Sequence, residues 1–228
     1  MIAVTDRHLF DAEPDPEGAF LEALAGLLNP SRPLPDCLSP GRPLSDCAST
    51  GRPSPATSSA LLPPRFLVLR EKDLPEPAYR ALAEKVLSLP NPGKTPIVLH
   101  NFPGAAESLP VQGLHLSLPR LEQLAEESPA LLRHFPLLGC SVHKKEEALR
   151  AVSLGANYLF AGNVFETSCK PGLPSRGLPW LEDLAAAVPV PVYAIGGVTP
   201  ENLPSLLSAG ASDGCMRSGY MELGRRLR

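Results

Sequence analysis

The stretch YLFAGNVFETSCKPGLPSRG, residues 158–177, joins a short apolar run to a long polar loop that is rich in glycine and proline. Four consecutive apolar residues, Tyr158 to Ala161, are typical of a strand that is buried on both faces of a parallel sheet. A segment with apolar residues at helical spacing follows at 178–188. Strand, decorated loop and helix form the repeating unit of a TIM barrel, in which the loops after the strands hold the chemistry.

The same alternation extends over the rest of the chain. Helical periodicity occurs at 16–28, 76–89, 121–133, 145–154, 178–188 and 200–208. Strands are predicted at 2–5, 66–69, 96–99, 113–116, 137–142, 157–161, 190–195 and 212–217. Because right-handed crossovers leave little room for another parallel arrangement, the sequence predicts an α/β protein, a single TIM (β/α)8 barrel that spans residues 1–228.

A Pro/Ser-rich, low-complexity insertion follows the first helix at residues 30–64. It repeats itself with a period of ten residues, as RPLPDC at 32–37 and RPLSDC at 42–47. The repeat makes Cys37 and Cys47 copies of each other, so duplication explains their spacing more simply than a metal clip or a disulfide. A segment with so few periodic apolar residues cannot bury enough surface to offset the entropy of ordering it.

Deletion of residues 30–64 should therefore leave the fold intact. Urea unfolding of the deleted and complete proteins is the measurement, and the two free energies of unfolding should agree closely. A loss of more than about 2 kcal/mol, a scale that few point mutations reach, would show that the segment belongs to the core or to an interface.

Composition and charge narrow the classes of partner. The formal net charge is −3 and no Lys/Arg cluster is present, which argues against a nucleic acid. No apolar stretch approaches a membrane span, and residues 1–6 do not resemble a signal peptide, so we expect a cytoplasmic protein with no membrane partner. Its five scattered cysteines fit reduced thiols. The expected binding partner is a small phosphorylated molecule, and both a monomer and a homo-oligomer are compatible with the sequence.

Polar residues and glycines follow the predicted strands, at points that meet at one mouth of a barrel. Gly197 follows the seventh strand, and Ser218-Gly219 follows the eighth and leads into a short helix. Such loops often bind phosphate through backbone N–H groups and a helix N-terminus. The complete set of predicted substrate-binding residues is Arg70, Lys72, Asn101, Ser141, Thr167, Ser168, Lys170, Gly197, Ser218 and Gly219.

His143 is the predicted catalytic residue. It lies just past the end of the fifth strand, and an imidazole with an ordinary pKa of ~6.5 suits proton transfer at neutral pH. His115, between Leu114 and Leu116 of the fourth strand, is interpreted instead as a packed barrel residue. Residues 144–147 are interpreted as the solvated start of a helix.

Several of these stretches together resemble the thiamine phosphate synthase and TenI family. They are GCSVH at 139–143, GNVFETSCK at 162–170, AIGGVTPEN at 194–202 and RSG at 217–219. The resemblance is specific over residues 113–221, looser over 1–29 and 65–112, and does not cover the insertion. It implies a barrel that acts on a thiazole phosphate in thiamine biosynthesis, with the phosphate near Gly197 and Ser218.

The resemblance implies two chemistries. Thiamine phosphate synthase, a transferase, joins a pyrimidine pyrophosphate to thiazole phosphate and needs Mg²⁺ on carboxylates, but His100-Asn101-Phe102 and Ser117 stand at the expected carboxylate positions. A TenI-type thiazole tautomerase, an isomerase, needs no metal and uses the histidine of Ser-Val-His, here His143; Arg70 and Lys72 would then face the substrate carboxylate. The tautomerase, without metal or cofactor, is the favoured interpretation. Synthase activity with Mg²⁺ and a non-catalytic phosphate-binding or regulatory role are the alternatives.

Overall fold

Eight parallel strands close into a barrel in the order in which they occur along the chain. The computed structural model describes residues 1–29, 63–167, 172 and 174–227. The strands are β1 (Ile2–Val4), β2 (Leu67–Leu69), β3 (Ile97–His100), β4 (Gly113–Ser117), β5 (Leu137–Val142), β6 (Tyr158–Gly162), β7 (Val192–Ile195) and β8 (Asp213–Met216). β1 pairs with both β2 and β8, which closes the barrel. The predicted TIM barrel is confirmed.

Helices lie between and beyond the strands of the described chain. They are α1 (Pro16–Leu28), α2 (Glu76–Leu87), α3 (Pro103–Ser108), α4 (Leu118–Glu127), α5 (Pro129–Leu132), α6 (Lys145–Ser153), α7 (Gly177–Ala186), α8 (Leu203–Ser208) and α9 (Ser218–Arg226). The sequence did not predict α3, because its six residues are too short for helical periodicity to show. None of the described helices is long and apolar enough to cross a membrane.

The insertion lies mostly outside the described residues, which stop at Asn29 and resume at Pro63. Its last residue, Pro64, is buried just ahead of β2. The packed chain therefore resumes slightly earlier than the sequence predicted. A deletion that ends at residue 63 retains the buried Pro64.

Side chains alternate between two cores along the strands. Outward residues such as Leu67 and Leu69 pack against the helices. The barrel interior is filled by Ile2, Val4, Phe66, Val68, Val98, Tyr158, Phe160, Tyr193 and Cys215. Aromatic rings dominate this layer: the Phe66 and Tyr158 centroids lie 5.2 Å apart in an edge-to-face pair. Since these rings fill the interior, a ligand that enters the barrel would bind above them, at the carboxyl ends of the strands.

A buried carboxylate connects the ends of β1 and β2. Glu71 is 2% exposed, and it accepts hydrogen bonds from the Thr5 hydroxyl and the Arg7 backbone N–H. The Thr5 hydroxyl oxygen in turn accepts the Arg70 N–H at 2.9 Å. Burial raises the pKa of Glu71, and the hydrogen bonds from Thr5 and Arg7 oppose that shift. This network fixes the backbone N–H of Arg70 and the side chain of Glu71, and Lys72 follows directly in the chain.

Candidate functional site

A cavity of about 1030 Å³ opens at the carboxyl ends of the strands. Eight of the predicted site residues line it together, although they come from five different loops or strands. They are Arg70, Lys72, Ser141, His143, Thr167, Gly197, Ser218 and Gly219. Ser168 and Lys170 lie outside the described residues. The structure therefore brings the described part of the predicted site to one mouth, with Asn101 as the exception.

Asn101 does not line the cavity. Its side-chain oxygen accepts the Ser117 N–H at 2.9 Å, and its own N–H donates to the His115 carbonyl at 3.0 Å. Its φ of 61° is in the left-handed region, which asparagine tolerates better than most residues. Asn101 thus shapes the turn after β3, and its contact with substrate stays a prediction.

The ring of His143 is fixed by the end of β6. Its Nδ1 lies 2.6 Å from the carbonyl oxygen of Gly162. A carbonyl oxygen can only accept, so Nδ1 carries a proton, and in the neutral form of the ring Nε2 has the lone pair. This arrangement is the one that a proton-accepting imidazole needs, because the other nitrogen is oriented by a hydrogen bond.

Glu147 belongs to the site, contrary to the prediction of a solvated helix start. Its Oε2 accepts the backbone N–H of His143 at 2.6 Å, and the residue lines the cavity. Glu147 lies four residues after His143, in the first turn of α6, where a carboxylate can reach back to a preceding N–H. That spacing is the sequence signal that could have identified it. The contact holds the backbone from which the His143 ring projects.

The loop after β7 is built around two glycines with positive φ. Gly196 has φ of 95° and Gly197 has φ of 64°. A Cβ on Gly197 would collide with the Glu166 carbonyl oxygen, so only glycine fits. The Asn202 side chain donates to the Gly197 carbonyl at 2.8 Å and accepts the Thr199 N–H at 2.9 Å. The loop therefore has a defined shape that brings its backbone to the cavity wall.

The N-terminus of α9 lies against the same cavity. Its first two residues, Ser218 and Gly219, line the wall, and the N-cap residue Arg217 makes no side-chain capping bond. Arg217 also lines the cavity, and its Nε lies 3.3 Å from the Asp6 carboxylate. N–H groups in the first turn of a helix have no partner within the helix. Beside the Gly197 loop, they suit an anion such as phosphate.

The β2 side of the mouth carries two cations, Arg70 and Lys72. His100 lines the cavity and is 5% exposed. Burial lowers its pKa to about 3, and the neighbouring cations Arg70 and Lys72 contribute to the shift. The imidazole is therefore neutral at pH 7, and the charge on this side comes from the Arg70 and Lys72 side chains. That field favours a second anionic group on the ligand.

The residues at the two positions where the family is expected to hold Mg²⁺ do not suit the ion, although Glu147, Glu166, Glu201 and Glu222 line the same cavity. Asn101 and Ser117 stand at the two positions where carboxylates are expected, and the Asn101 oxygen is already hydrogen-bonded to the Ser117 N–H. Within the described chain, no group of three or more His, Cys, Asp or Glu side chains is placed to hold a metal ion. Mg²⁺ sites usually rely on one or two carboxylates placed beside substrate phosphates.

Comparison with known proteins identifies relatives of this barrel. The family model described as thiamine monophosphate synthase matches residues 54–219. The thiamine-phosphate synthase of a Thermus thermophilus strain is 38% identical over 146 residues, 63% of this chain and 68% of the relative. That of Roseiflexus castenholzii is 35% identical over 144 residues, 63% of this chain and 62% of the relative.

A solved structure shows the same architecture. The thiamine phosphate pyrophosphorylase from Pyrococcus furiosus superposes with a TM-score of 0.64, covering 100% of this chain and 92% of its own. Its sequence is 23% identical, so the likeness concerns the fold.

Proposed function

Because the chain belongs to the thiamine monophosphate synthase family, we propose that it is an enzyme of thiamine biosynthesis that binds a thiazole phosphate at the barrel mouth. The Gly197 loop and the first turn of α9 would surround the phosphate. Arg70 and Lys72, just after β2, would bind the second anionic group. The cavity volume of about 1030 Å³ accommodates such a small phosphorylated ring.

The reaction that the site supports best is tautomerisation of a thiazole carboxylate phosphate to its aromatic form. The observation that carries this proposal is the hydrogen bond from His143 Nδ1 to the Gly162 carbonyl at 2.6 Å, which leaves Nε2 as a base at the cavity. A tautomerase needs one group that accepts a proton and then returns it. It needs no metal, so the loss of carboxylates at positions 101 and 117 would not impair it.

In the proposed mechanism, His143 Nε2 accepts a proton from a ring carbon of the bound thiazole. The electron pair left behind delocalises through the ring, and the substrate carboxylate faces Arg70 and Lys72. The imidazolium then gives its proton to the side-chain carbon, which completes the aromatic ring and restores neutral His143. Glu147 and the Gly162 carbonyl hold the histidine throughout, and a nearby carboxylate stabilises the transient imidazolium.

The second candidate is the synthase reaction, which the names of the relatives support more directly than they support the tautomerase. In that case Arg70 and Lys72 would bind the pyrophosphate of the pyrimidine substrate, and departing pyrophosphate needs charge neutralisation. Mg²⁺ would supply part of that neutralisation when bound. Because Asn101 and Ser117 replace the expected carboxylates, glutamates that line the cavity, such as Glu166 and Glu222, would have to hold the ion.

Assay of the purified protein with each substrate, with and without EDTA, separates the two reactions. We expect turnover of the thiazole carboxylate phosphate to be unchanged by EDTA, because no step requires a metal. The control is a Mg²⁺-dependent thiamine phosphate synthase, which EDTA should inactivate under the same conditions. Synthase turnover with a strict Mg²⁺ requirement would overturn the tautomerase proposal. Binding of thiazole phosphate without any turnover would instead indicate a regulatory relative.

The cytoplasmic location of the protein stays a prediction.

A further inference from the structure

A buried histidine lies directly behind the cavity wall. His115 is 1% exposed, and its ring packs between His100, with centroids 5.9 Å apart, and Phe160, at 4.2 Å. Its Nε2 lies 2.8 Å from the Ser141 hydroxyl oxygen, and its Nδ1 lies 3.1 Å from the Tyr158 hydroxyl. Ser141 lines the cavity, so His115 connects a cavity hydroxyl to the barrel interior.

The direction of these two hydrogen bonds follows from Tyr158. The Tyr158 ring is 2% exposed, and His115 Nδ1 is the only hydrogen-bond partner of its hydroxyl among the residues that the structure describes. Burial raises the pKa of Tyr158 well above its usual value, so the phenol keeps its proton. A buried O–H without an acceptor is costly, so this proton is donated to Nδ1.

The tautomer of His115 then follows. Burial, with the nearby cationic groups, lowers the pKa of His115 well below its usual value, so the ring is neutral and carries one proton. With Nδ1 accepting from Tyr158, that proton is on Nε2, which donates to the Ser141 oxygen. The reverse arrangement would leave the Tyr158 O–H unpaired in the barrel interior.

The two donations fix the role of Ser141. Its oxygen accepts from His115, and no other hydrogen bond is recorded for its hydroxyl in the described part of the chain. We propose that Tyr158 and His115 are positioning residues that orient the Ser141 hydroxyl as a hydrogen-bond donor into the cavity. A donor at this point matches an anionic or carbonyl oxygen of the substrate and disfavours a ligand that presents an N–H or O–H there.

Gly139 makes the network sterically possible. A Cβ on Gly139 would collide with both the Tyr158 ring and His115 Nδ1. The absence of a side chain on the neighbouring strand therefore gives the Tyr158–His115 hydrogen bond its space. The glycine at position 139 therefore agrees with the hydrogen-bond network of Tyr158, His115 and Ser141.

The contact between Ser141 and a substrate rests on the proposed function. The tautomer of His115, however, can be measured without substrate. Long-range ¹H–¹⁵N correlation spectra of the uniformly labelled protein should show His115 as the Nε2–H tautomer. The same tautomer should persist in Ser141→Ala, since Tyr158 sets it. An Nδ1–H tautomer or a protonated ring in the wild type at pH 7 would overturn the proposal, whether or not the protein is a tautomerase.

A double-mutant cycle tests whether Tyr158 acts through Ser141. The measured quantity is kcat/KM for the thiazole carboxylate phosphate. Ser141→Ala should lower kcat/KM by ~10-fold or more, and Tyr158→Phe by about fivefold, on the scale of charged and neutral hydrogen bonds. Combined with Ser141→Ala, Tyr158→Phe should change kcat/KM by less than about twofold. Tyr193→Phe is the matched control, because Tyr193 lies in the same interior layer but forms no recorded hydrogen bond with His115. Additive effects would show that Tyr158 acts on the fold alone.

Discussion

Replacement of His143 by asparagine should lower kcat by ~10²- to 10⁴-fold and leave KM close to that of the wild type. The reason is that a positioned acid/base acts in the transition state, whereas the phosphate is bound by other loops. Asparagine keeps a side chain that can donate to the Gly162 carbonyl, so the structural part of the contact is retained. Steady-state kinetics with the thiazole carboxylate phosphate is the measurement.

The control for this variant is His134→Asn, a change of the same type at an exposed position outside the cavity. It should leave both kinetic constants unchanged. If His143→Asn turns over within about threefold of wild type, far short of the expected range, His143 does not carry the proton. Glu166, which lines the cavity, and Cys169 are then the next residues to replace.

Replacement of Gly197 by alanine should raise KM by ~10-fold or more, on the scale of one or two lost charge-assisted hydrogen bonds. Gly197 has φ of 64°, and an added Cβ would collide with the Glu166 carbonyl oxygen and the Phe165 side chain. The loop must therefore move away from the phosphate position. Because phosphate binding is common to ground and transition states, kcat should fall much less than kcat/KM.

Gly155→Ala is the control for backbone strain. Gly155 also has positive φ, 99°, but an added Cβ would meet only Leu138 Cδ2, at 4.0 Å, and the residue is not part of the cavity wall. Both variants should lose stability from the strained φ, measured as a fall in Tm. Only Gly197→Ala should also weaken substrate binding. Equal kinetic effects of the two changes would contradict a phosphate site at Gly197.

Apolar runs and helical periodicity specify the barrel and the position of its mouth. Apolar runs such as Tyr158–Ala161, separated by helical segments, specify buried parallel strands because both faces of each strand need apolar residues. Once the strands were assigned, the residues after them had to meet at one end. For this reason His143, Gly197 and Ser218 could be predicted as neighbours although the chain separates them widely. The position of His115, facing inward between Leu114 and Leu116, followed from the two-residue period of a strand.

How these groups are held depends on long-range hydrogen bonds that form when the barrel closes. The hydrogen bond from His143 joins residues 19 positions apart, and the one between His115 and Tyr158 spans 43 positions. Pairings of this kind depend on strand register and on side-chain direction, which periodicity does not specify. The same holds for Asn101, whose oxygen accepts the Ser117 N–H, since its left-handed backbone has no signature in composition. Hydrogen-bond directions, and with them the chemical role of each nitrogen and hydroxyl, follow from which partners the fold leaves buried together.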